Sequence, residues 1–467
     1  MKNRFDVIIV GAGTAGVFLG LKLALLNHSV IIIEREIEAQ CGKKMDQFHL
    51  AKSAFSQYKI SPPDEGTDEW IATLEGTTHV SPNFEHRKFM HYPIYAMRFQ
   101  FFVQRLIKMA KEAGVAFEFE AEFKEGIYED GILQGVKILK YDVVLEYYGK
   151  VIVDCSGTAA VVRRSLPESY NVETFDIDDS EKMYVIQRVV EWEDPDENPT
   201  RIEKNISFTF YKTWFAQHYK QNANIFGNGQ PGGYQNAEKA FEIFKEAYTT
   251  PVYKLIEEHR GLTTYRRSPY SLVGDAFVCV GDSACMTEPH SGEGIKCAWG
   301  ACTLIIEGIH EILTRENSPE YLSRKDLWSI NVRYFRNQGA KLAALLSQIP
   351  DAANISSKDM NFLFKKDIIF SSKDFEDMNN HYELKLSRSR MTKVTTTFLG
   401  GLLSGNISLM AIRSMLNSMK LSGEIREHYE NFPEKLVLFP EWKEKAEKLW
   451  SKVGKMQFTL KKEEKEL

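Results

Sequence analysis

The sequence offers little with which to build a metal centre or a disulfide frame. Its six cysteines, at positions 41, 155, 279, 285, 297 and 302, include no CxxC pair and no zinc spacing, the pattern of reduced thiols in a cytoplasmic chain. No run is apolar for long enough to span a bilayer, and no cleavable leader is expected, because the first apolar segment already reads as part of a folded unit and lacks a cleavage site. Charge of one sign is not in excess either: 59 Lys and Arg against 64 Asp and Glu give a net charge of −5. With no basic stripe interleaved with aromatics, nucleic acid is not expected as a partner. There is no internal repeat and no second GxGxxG, hence no site for a stably held nicotinamide. What remains is ordinary for a globular protein: 467 residues, 43% hydrophobic and 26% charged, enough for two or three domains with a substantial core.

The chain is organised around its first residues. Phe5 to Val10 runs into Gly11-Ala12-Gly13-Thr14-Ala15-Gly16 and then into an apolar stretch from Val17 to Leu26, which reads strand, tight turn, helix. A second apolar run, Val30 to Ile33, ends in Glu34, followed by Arg35. Each position has a chemical reason in a dinucleotide site: Gly11 permits the turn, Gly13 lets backbone approach a pyrophosphate, and Gly16 lets the helix lie close to the sheet. The helix start offers free N–H groups to phosphates, and Glu34 can accept hydrogen bonds from a ribose diol. A polar loop then leaves the carboxyl end of the second strand, where ligands of open α/β sheets bind, and it carries Cys41-Gly42 with Lys43 and Lys44 beyond. Cys41 is either a site residue or a packed thiol.

Further along, Met97 to Ala113 has helical spacing and stops at Gly114, and Val115 to Ala121 reads as a strand. A small β-meander follows and returns through Val151 to Asp154, ahead of Cys155-Ser156-Gly157. From Val172 to about Thr263 long alternating strands such as 183–190 and 206–211 imply a separate antiparallel sheet with one aromatic face, closed by helical patterns at 237–248 and 252–259. The segment Phe277 to Val280 delivers Gly281-Asp282, then Pro289-His290-Ser291-Gly292-Glu293-Gly294-Ile295 and a helix from Lys296 to about Leu313. An Asp just after a strand can bond sugar-like hydroxyls, and a glycine-rich helix start aims its dipole at an electron-rich acceptor. From about Asn331 the pattern is helical; the stripe at 398–419 reads as core packing, a lid or a membrane-surface segment, and Lys461 to Leu467 as a solvated end.

Three motifs in this order resemble the flavoprotein superfamily of aromatic-ring hydroxylases, flavin-dependent halogenases and geranylgeranyl reductases. The resemblance implies an α/β fold: a Rossmann-type FAD-binding domain (1–60, 95–171, 264–345), an inserted antiparallel substrate domain (61–94, 172–263) and a C-terminal helical region (346–467). It implies FAD contacts at Gly11, Gly13, Ala15, Gly16, Glu34, Arg35, Arg98, Gly281, Asp282, Gly292, Gly294 and Ile295, with Asp154 to Gly157 as the middle motif and no metal. Within the superfamily the proline, two-residue spacer and GEGI run, together with Cys41-Gly42, are similar to geranylgeranyl reductases. Their YxWxFP motif is represented at best by a remnant at Phe210 to Phe215, and the WxWxIP signature of tryptophan halogenases is absent. The implied activity is reduction of carbon–carbon double bonds in a hydrophobic, isoprenoid-like substrate, with Cys41 and His290 facing the flavin; the sequence does not identify the electron donor, which leaves ferredoxin, NAD(P)H or another reductant. The alternatives are a flavin monooxygenase or halogenase, and a non-enzymatic prenyl-binding escort protein on the same scaffold. The implied location is cytoplasmic, with a peripheral membrane contact through 398–419 left open.

Overall fold

The computed structural model describes residues 3–368, 371–383 and 388–456; the Lys461 to Leu467 tail lies outside them. The chain opens with β1 (Asn3–Val10), α1 (Thr14–Leu25) and β2 (Val30–Ile33), then leaves for β3 (Gln47–Ala51), α2 (Lys52–Tyr58), β4 (Trp70–Val80) and β5 (Arg87–Arg98). It returns through α3 (Phe99–Glu112) and β6 (Ala116–Glu118) to a meander of β7 (Glu122–Glu129), β8 (Ile132–Lys140) and β9 (Val143–Asp154), and then α4 (Val161–Ser165). A second excursion comprises β10 (Lys182–Trp192), β11 (Asn205–Phe208), β12 (Thr213–Gln217), β13 (Ala223–Pro231), α5 (Tyr234–Ala247) and β14 (Tyr253–Thr264). β15 (Val273–Gly274), β16 (Phe277–Cys279) and α6 (Ile295–Leu313) follow, and helices complete the described chain: α7 (Arg324–Tyr334), α8 (Ala340–Ala353), α9 (Ser357–Lys365), α10 (Ser372–His381), α11 (Arg388–Leu403), α12 (Leu409–Glu430) and α13 (Phe439–Trp450).

The first sheet has the order β15-β16-β9-β1-β2-β6, with β8 joined to β9 and β7 to β8. Strands β16, β9, β1 and β2 run parallel, with β6 parallel to β2 at the edge. β1 and β2 are covered on both faces, which is why Val7 to Val10 and Val30 to Ile33 are unbroken aliphatic runs rather than alternating ones. The register has a functional consequence: Val10 lies opposite both Ile33 and Asp154, and Asp154 opposite Cys279. Four strands therefore end level, and the turns that follow them emerge along one edge. α1 lies across this sheet under α6, with Phe18 stacked on Trp299 at 4.8 Å and the Trp299 indole donating to the Thr14 carbonyl at 3.0 Å.

The second sheet has the order β14-β10-β13-β12-β11-β4-β5-β3 and is antiparallel except where β11 meets β4. The two chain excursions thus share one sheet, with Ile206 opposite Thr78. Residues 47–51 and 95–98, expected with the nucleotide fold, are strands of this second sheet. The segment 252–259, expected as helix, is also strand: β14 carries one extra residue, Ile256, opposite the Val189/Val190 step of β10. That bulge spaces the half-buried residues Tyr253, Ile256 and His259 by three, which imitates a helical period. The 206–211 strand stops at Phe208, where Thr209–Tyr211 coil into a single turn and Lys212 takes φ +50°.

The aromatic face of the second sheet is core. Phe208, Phe215 and Phe226 pack with Phe84 against Phe244 of α5. Trp214, one residue before Phe215, points to the opposite face, where a Cβ on Gly227 would lie 2.2 Å from its ring. α10 packs on β5 through Phe375 against Tyr92, ring centres 5.7 Å apart. α7 and α13 are joined by Trp328 and Phe439 at 5.2 Å.

Candidate functional site

The level strand ends bring together the glycine turns. Gly11 takes φ +110°, and a Cβ there would stand 2.3 Å from the Cys155 carbonyl oxygen; one on Gly16 would stand 2.1 Å from the Gly11 oxygen. Both are closed to any side chain. Gly13 differs: nothing lies within 4 Å of its absent Cβ, so its backbone faces open space at the start of α1. No side chain caps that helix start, which leaves donors for a phosphate. The Glu34 carboxylate accepts from Ala12 N–H at 2.7 Å and Glu36 N–H at 2.9 Å, and so stands directly over the turn. Beyond it, a recess of about 460 Å³ opens between Arg35, Glu36, Glu120, Glu122 and Tyr141.

The middle turn is built on Asp154, which is fully buried and accepts from Ser156 N–H (2.9 Å), Ser156 Oγ–H (2.6 Å) and Arg163 N–H (2.7 Å). Its carboxylate is consumed in shaping the turn, and Gly157 (φ +71°) again faces open space. The same region is bolted to the third turn: Ser283 Oγ–H donates to the Asp154 carbonyl at 2.6 Å, and buried Arg163 donates from Nε to the Ser283 carbonyl at 2.8 Å. Gly281 (φ +76°) packs on Ala15, where an added Cβ would come within 3.2 Å of the alanine methyl. Next to it, the Asp282 carbonyl accepts from Cys285 N–H at 3.0 Å, but its carboxylate accepts no hydrogen bond from the described residues. It keeps part of its surface open, yet burial pushes its carboxyl up to about 6. An acid carboxylate with no partner among the described residues, beside turns at which Gly13 and Gly157 face open space, fits a ligand that brings hydroxyl donors, as a ribityl chain does.

The loop before α6 is tied to Glu288, which is fully buried and accepts from His290 N–H (3.0 Å), Ser291 N–H (2.7 Å) and Ser291 Oγ–H (2.6 Å), with His290 Nδ1 at 3.1 Å. Burial opposes its ionisation, but these bonds hold the carboxyl below its ordinary value. Gly292 (φ +76°) and Gly294 follow, and α6 starts with no side-chain cap, Ile295 at its first position. Glu293 was legible only as part of the loop pattern. Its carboxyl is pushed up to about 7, first by burial, with Glu288 adding to the rise and Lys296 opposing it. Tyr92 donates to it at 3.4 Å, and Lys296, 1% exposed, donates to the Asn379 carbonyl at 3.0 Å and to Asn380. A neutral-capable acid therefore sits where the glycine loop, the second sheet and α10 meet.

Cys41 is 6% exposed, and its Sγ–H points at the Ile37 carbonyl at 3.7 Å. Burial, with Glu34, Glu36 and Glu38 adding to it, pushes the thiol up to about 12. The group is a neutral thiol, and Lys43 and Lys44 do not draw it toward thiolate. The loop that carries it continues to Met45, which packs against Gly261 of β14. Arg98 caps α3 with its guanidinium between the Phe101 ring (4.3 Å) and the Tyr219 ring (4.1 Å). No described contact joins it to the glycine turns. Beside it is a pair that sequence spacing could not reveal: His218 Nε2 lies 2.9 Å from Asp46 Oδ2, both side chains buried. His218 Nδ1 accepts from Lys220 N–H, so Nε2 carries the proton toward Asp46.

No protein-family model matches the chain. It is 24% identical to the digeranylgeranylglycerophospholipid reductase of Sulfolobus acidocaldarius over 465 residues, 97% of this chain and 98% of that protein. It is also 24% identical to digeranylgeranylglycerophospholipid reductase 1 of Methanopyrus kandleri over 361 residues, covering 74% and 92%. Among solved structures, a geranylgeranyl bacteriochlorophyll reductase-like protein of Thermoplasma acidophilum superposes with a TM-score of 0.62 at 15% identity, covering 96% of this chain and 100% of that one. The myxobacterial chondrochloren halogenase superposes at 0.59 and 15% identity, covering 91% and 98%. The fold is that of the FAD-binding Rossmann-type flavoproteins.

Proposed function

We propose that this chain is an FAD-dependent reductase that saturates carbon–carbon double bonds in isoprenoid chains carried by a lipid. One observation carries the reading: the similarity to a digeranylgeranylglycerophospholipid reductase runs end to end through both chains. The site agrees with it. Gly13 and the start of α1 would hold the pyrophosphate, Glu34 the adenosine ribose, Arg35 the recess beyond it, and Asp282 the ribityl hydroxyls. Gly292, Gly294 and Ile295 would set backbone donors against the ring. Bound FAD supplies the hydride that alkene saturation consumes.

The chain's own task is to position the alkene, exclude water and hold the matching proton. Cys41 holds one at Sγ, in a loop that crosses to the Gly261 strand of the second sheet. His290 is fixed by Glu288 and holds the loop shape; Glu293 holds a proton at its carboxyl near neutrality. Arg98 belongs to the Asp46–His218 cluster and orders the start of α3. The electrons come from ferredoxin or NAD(P)H. Six free cysteines accord with a cytoplasmic location, and residues 398–419 serve as a peripheral membrane contact; no described helix is long and apolar enough to cross a membrane.

The oxygen-using alternative, a monooxygenase or halogenase, shares the fold, whereas an escort protein would leave Asp282 without a role. Purified protein should be yellow with stoichiometric FAD. Reduced anaerobically, it should add hydrogen to a geranylgeranyl lipid; a long-lived oxygen adduct without alkene reduction would favour the monooxygenase.

A further inference from the structure

If the substrate chains reside in lipid, as proposed above, the protein needs a surface that meets lipid, and the turn between α11 and α12 has that chemistry. We propose that this helical hairpin docks on an anionic bilayer surface, inserting the side chains at its tip. Leu403 is 90% and Met410 81% exposed, flanked by Leu402 and Leu409, and Leu416 and Met419 continue the apolar stripe along α12. These are large side chains in water on one continuous surface.

The turn is rigidly built rather than frayed. Gly405 takes φ +69°, and Asn406 N–H closes the end of α11 on the Gly401 carbonyl at 2.8 Å. Ile407 turns inward, 2% exposed, onto Phe362, and an added Cβ on Gly401 would lie 2.4 Å from the Phe362 ring. Asp359 accepts from Ser408 N–H at 2.8 Å and Ser408 Oγ–H at 3.1 Å. The core thus takes one apolar residue of the turn, and the same fixed geometry holds its neighbours out.

Charge selects the occupant. From Leu384 to Gly423 the sequence contains no Asp or Glu, in a chain whose net charge is −5; of the described cations in this stretch Arg390 pairs with Asp374 and Lys393 with Asp367, and exposed Lys420 lies 3.8 Å from Glu424, a surface pair of little strength. Arg413 makes no hydrogen bond or ion pair with the described residues and lies on the same exposed stripe of α12 as Met410 and Leu416. A second copy of the chain would bring Arg413 and Lys420 against like charges; an anionic headgroup layer complements these two exposed cations on α12 behind the apolar tip.

The test is flotation of the FAD-loaded full chain with vesicles of saturated phosphatidylcholine, alone or mixed with saturated phosphatidylglycerol, whose acyl chains offer no alkene. The expected result is binding to the mixed vesicles that weakens with salt. The double variant Leu403→Ser, Met410→Ser should bind at least about tenfold less. Arg413→Glu with Lys420→Glu should cut the preference for phosphatidylglycerol at least about fivefold. All variants should reduce a detergent-solubilised geranylgeranyl substrate as the parent does. Equal binding of the double serine variant, or no flotation of the parent, would overturn docking, as would a parent dimer that the serine variant loses. Detergent activity without vesicle binding overturns docking alone; vesicle binding without alkene reduction supports docking and overturns the reductase reading.

Discussion

If Asp282 binds the ribityl hydroxyls of FAD as proposed, it makes opposite demands of the apoprotein and the holoprotein, and replacing it should separate them. Its carboxyl, pushed up to about 6 by burial, has an unfolded value near 3.9. A group that binds its proton more tightly when folded contributes its full stability below the unfolded value and loses it as pH rises to the folded one. Above about pH 6 the folded apoprotein therefore carries a penalty of about 2–3 kcal/mol for the ionised acid. Asp282→Asn is isosteric and cannot ionise, so it should stabilise the apoprotein by that amount at pH 7 and by only about 0.5 kcal/mol at pH 4, read from urea unfolding midpoints. Toward FAD the sign reverses. Hydrogen bonds from ribityl hydroxyls to a carboxylate are worth about 1.5–3 kcal/mol, so Asp282→Ala should weaken FAD about ten- to a hundredfold in equilibrium dialysis. For the parent, affinity should fall as pH drops below about 6. A variant pair that leaves both FAD affinity and apoprotein stability unchanged would refute the reasoning.

The glycine turn makes a contrast: Gly11→Ala places a Cβ 2.3 Å from a carbonyl oxygen at φ +110° and should cost about 3 kcal/mol or more, whereas Gly13→Ala faces open space and should fold normally but lose FAD on dialysis. Melting temperature and bound flavin distinguish the two. If Cys41 delivers a proton, Cys41→Ala should slow alkene reduction by reduced enzyme about 10²–10⁴-fold and Cys41→Ser much less; equal small losses with full FAD would make it a packed thiol. Glu293, with its carboxyl near about 7, acts as an acid only while protonated. The reduction rate should fall as pH rises through about 7, and Glu293→Gln should be slower and flat with pH in stopped-flow measurements. A pH limb that survives the Gln variant would belong to another group.

The parts of this fold that could be read in the sequence are those whose constraints are local. Gly11, Gly13 and Gly16 stand within six residues of one another, and the aliphatic runs of β1 and β2 need no distant partner to be recognised as buried parallel strands. The level ends of β1, β2, β9 and β16 made the order of motifs meaningful, though only the register shows it. β14 misled because a bulge at Ile256 converted a period of two into a period of three. β4 shows no clean alternation, since irregularities at Trp70/Ala72 and Leu74/Gly76 interrupt its pairing with β5. The alternation at 206–211 shows one aromatic face but not that α5 covers it, since nothing in strand alternation tells which face a later helix will choose. Asp46 and His218 are 172 residues apart, and Glu293 takes its character from Tyr92, Lys296 and burial. Such pairings are properties of packing, beyond the reach of spacing.

The central claim is best tested by anaerobic single turnover. The FAD-loaded protein, reduced with dithionite and mixed with digeranylgeranylglycerophospholipid in detergent, should reoxidise its flavin as the lipid gains two hydrogens for each flavin consumed, followed by absorbance and by mass spectrometry. Flavin that stays reduced with the lipid unchanged, and that reoxidises only when oxygen is admitted, would contradict the account.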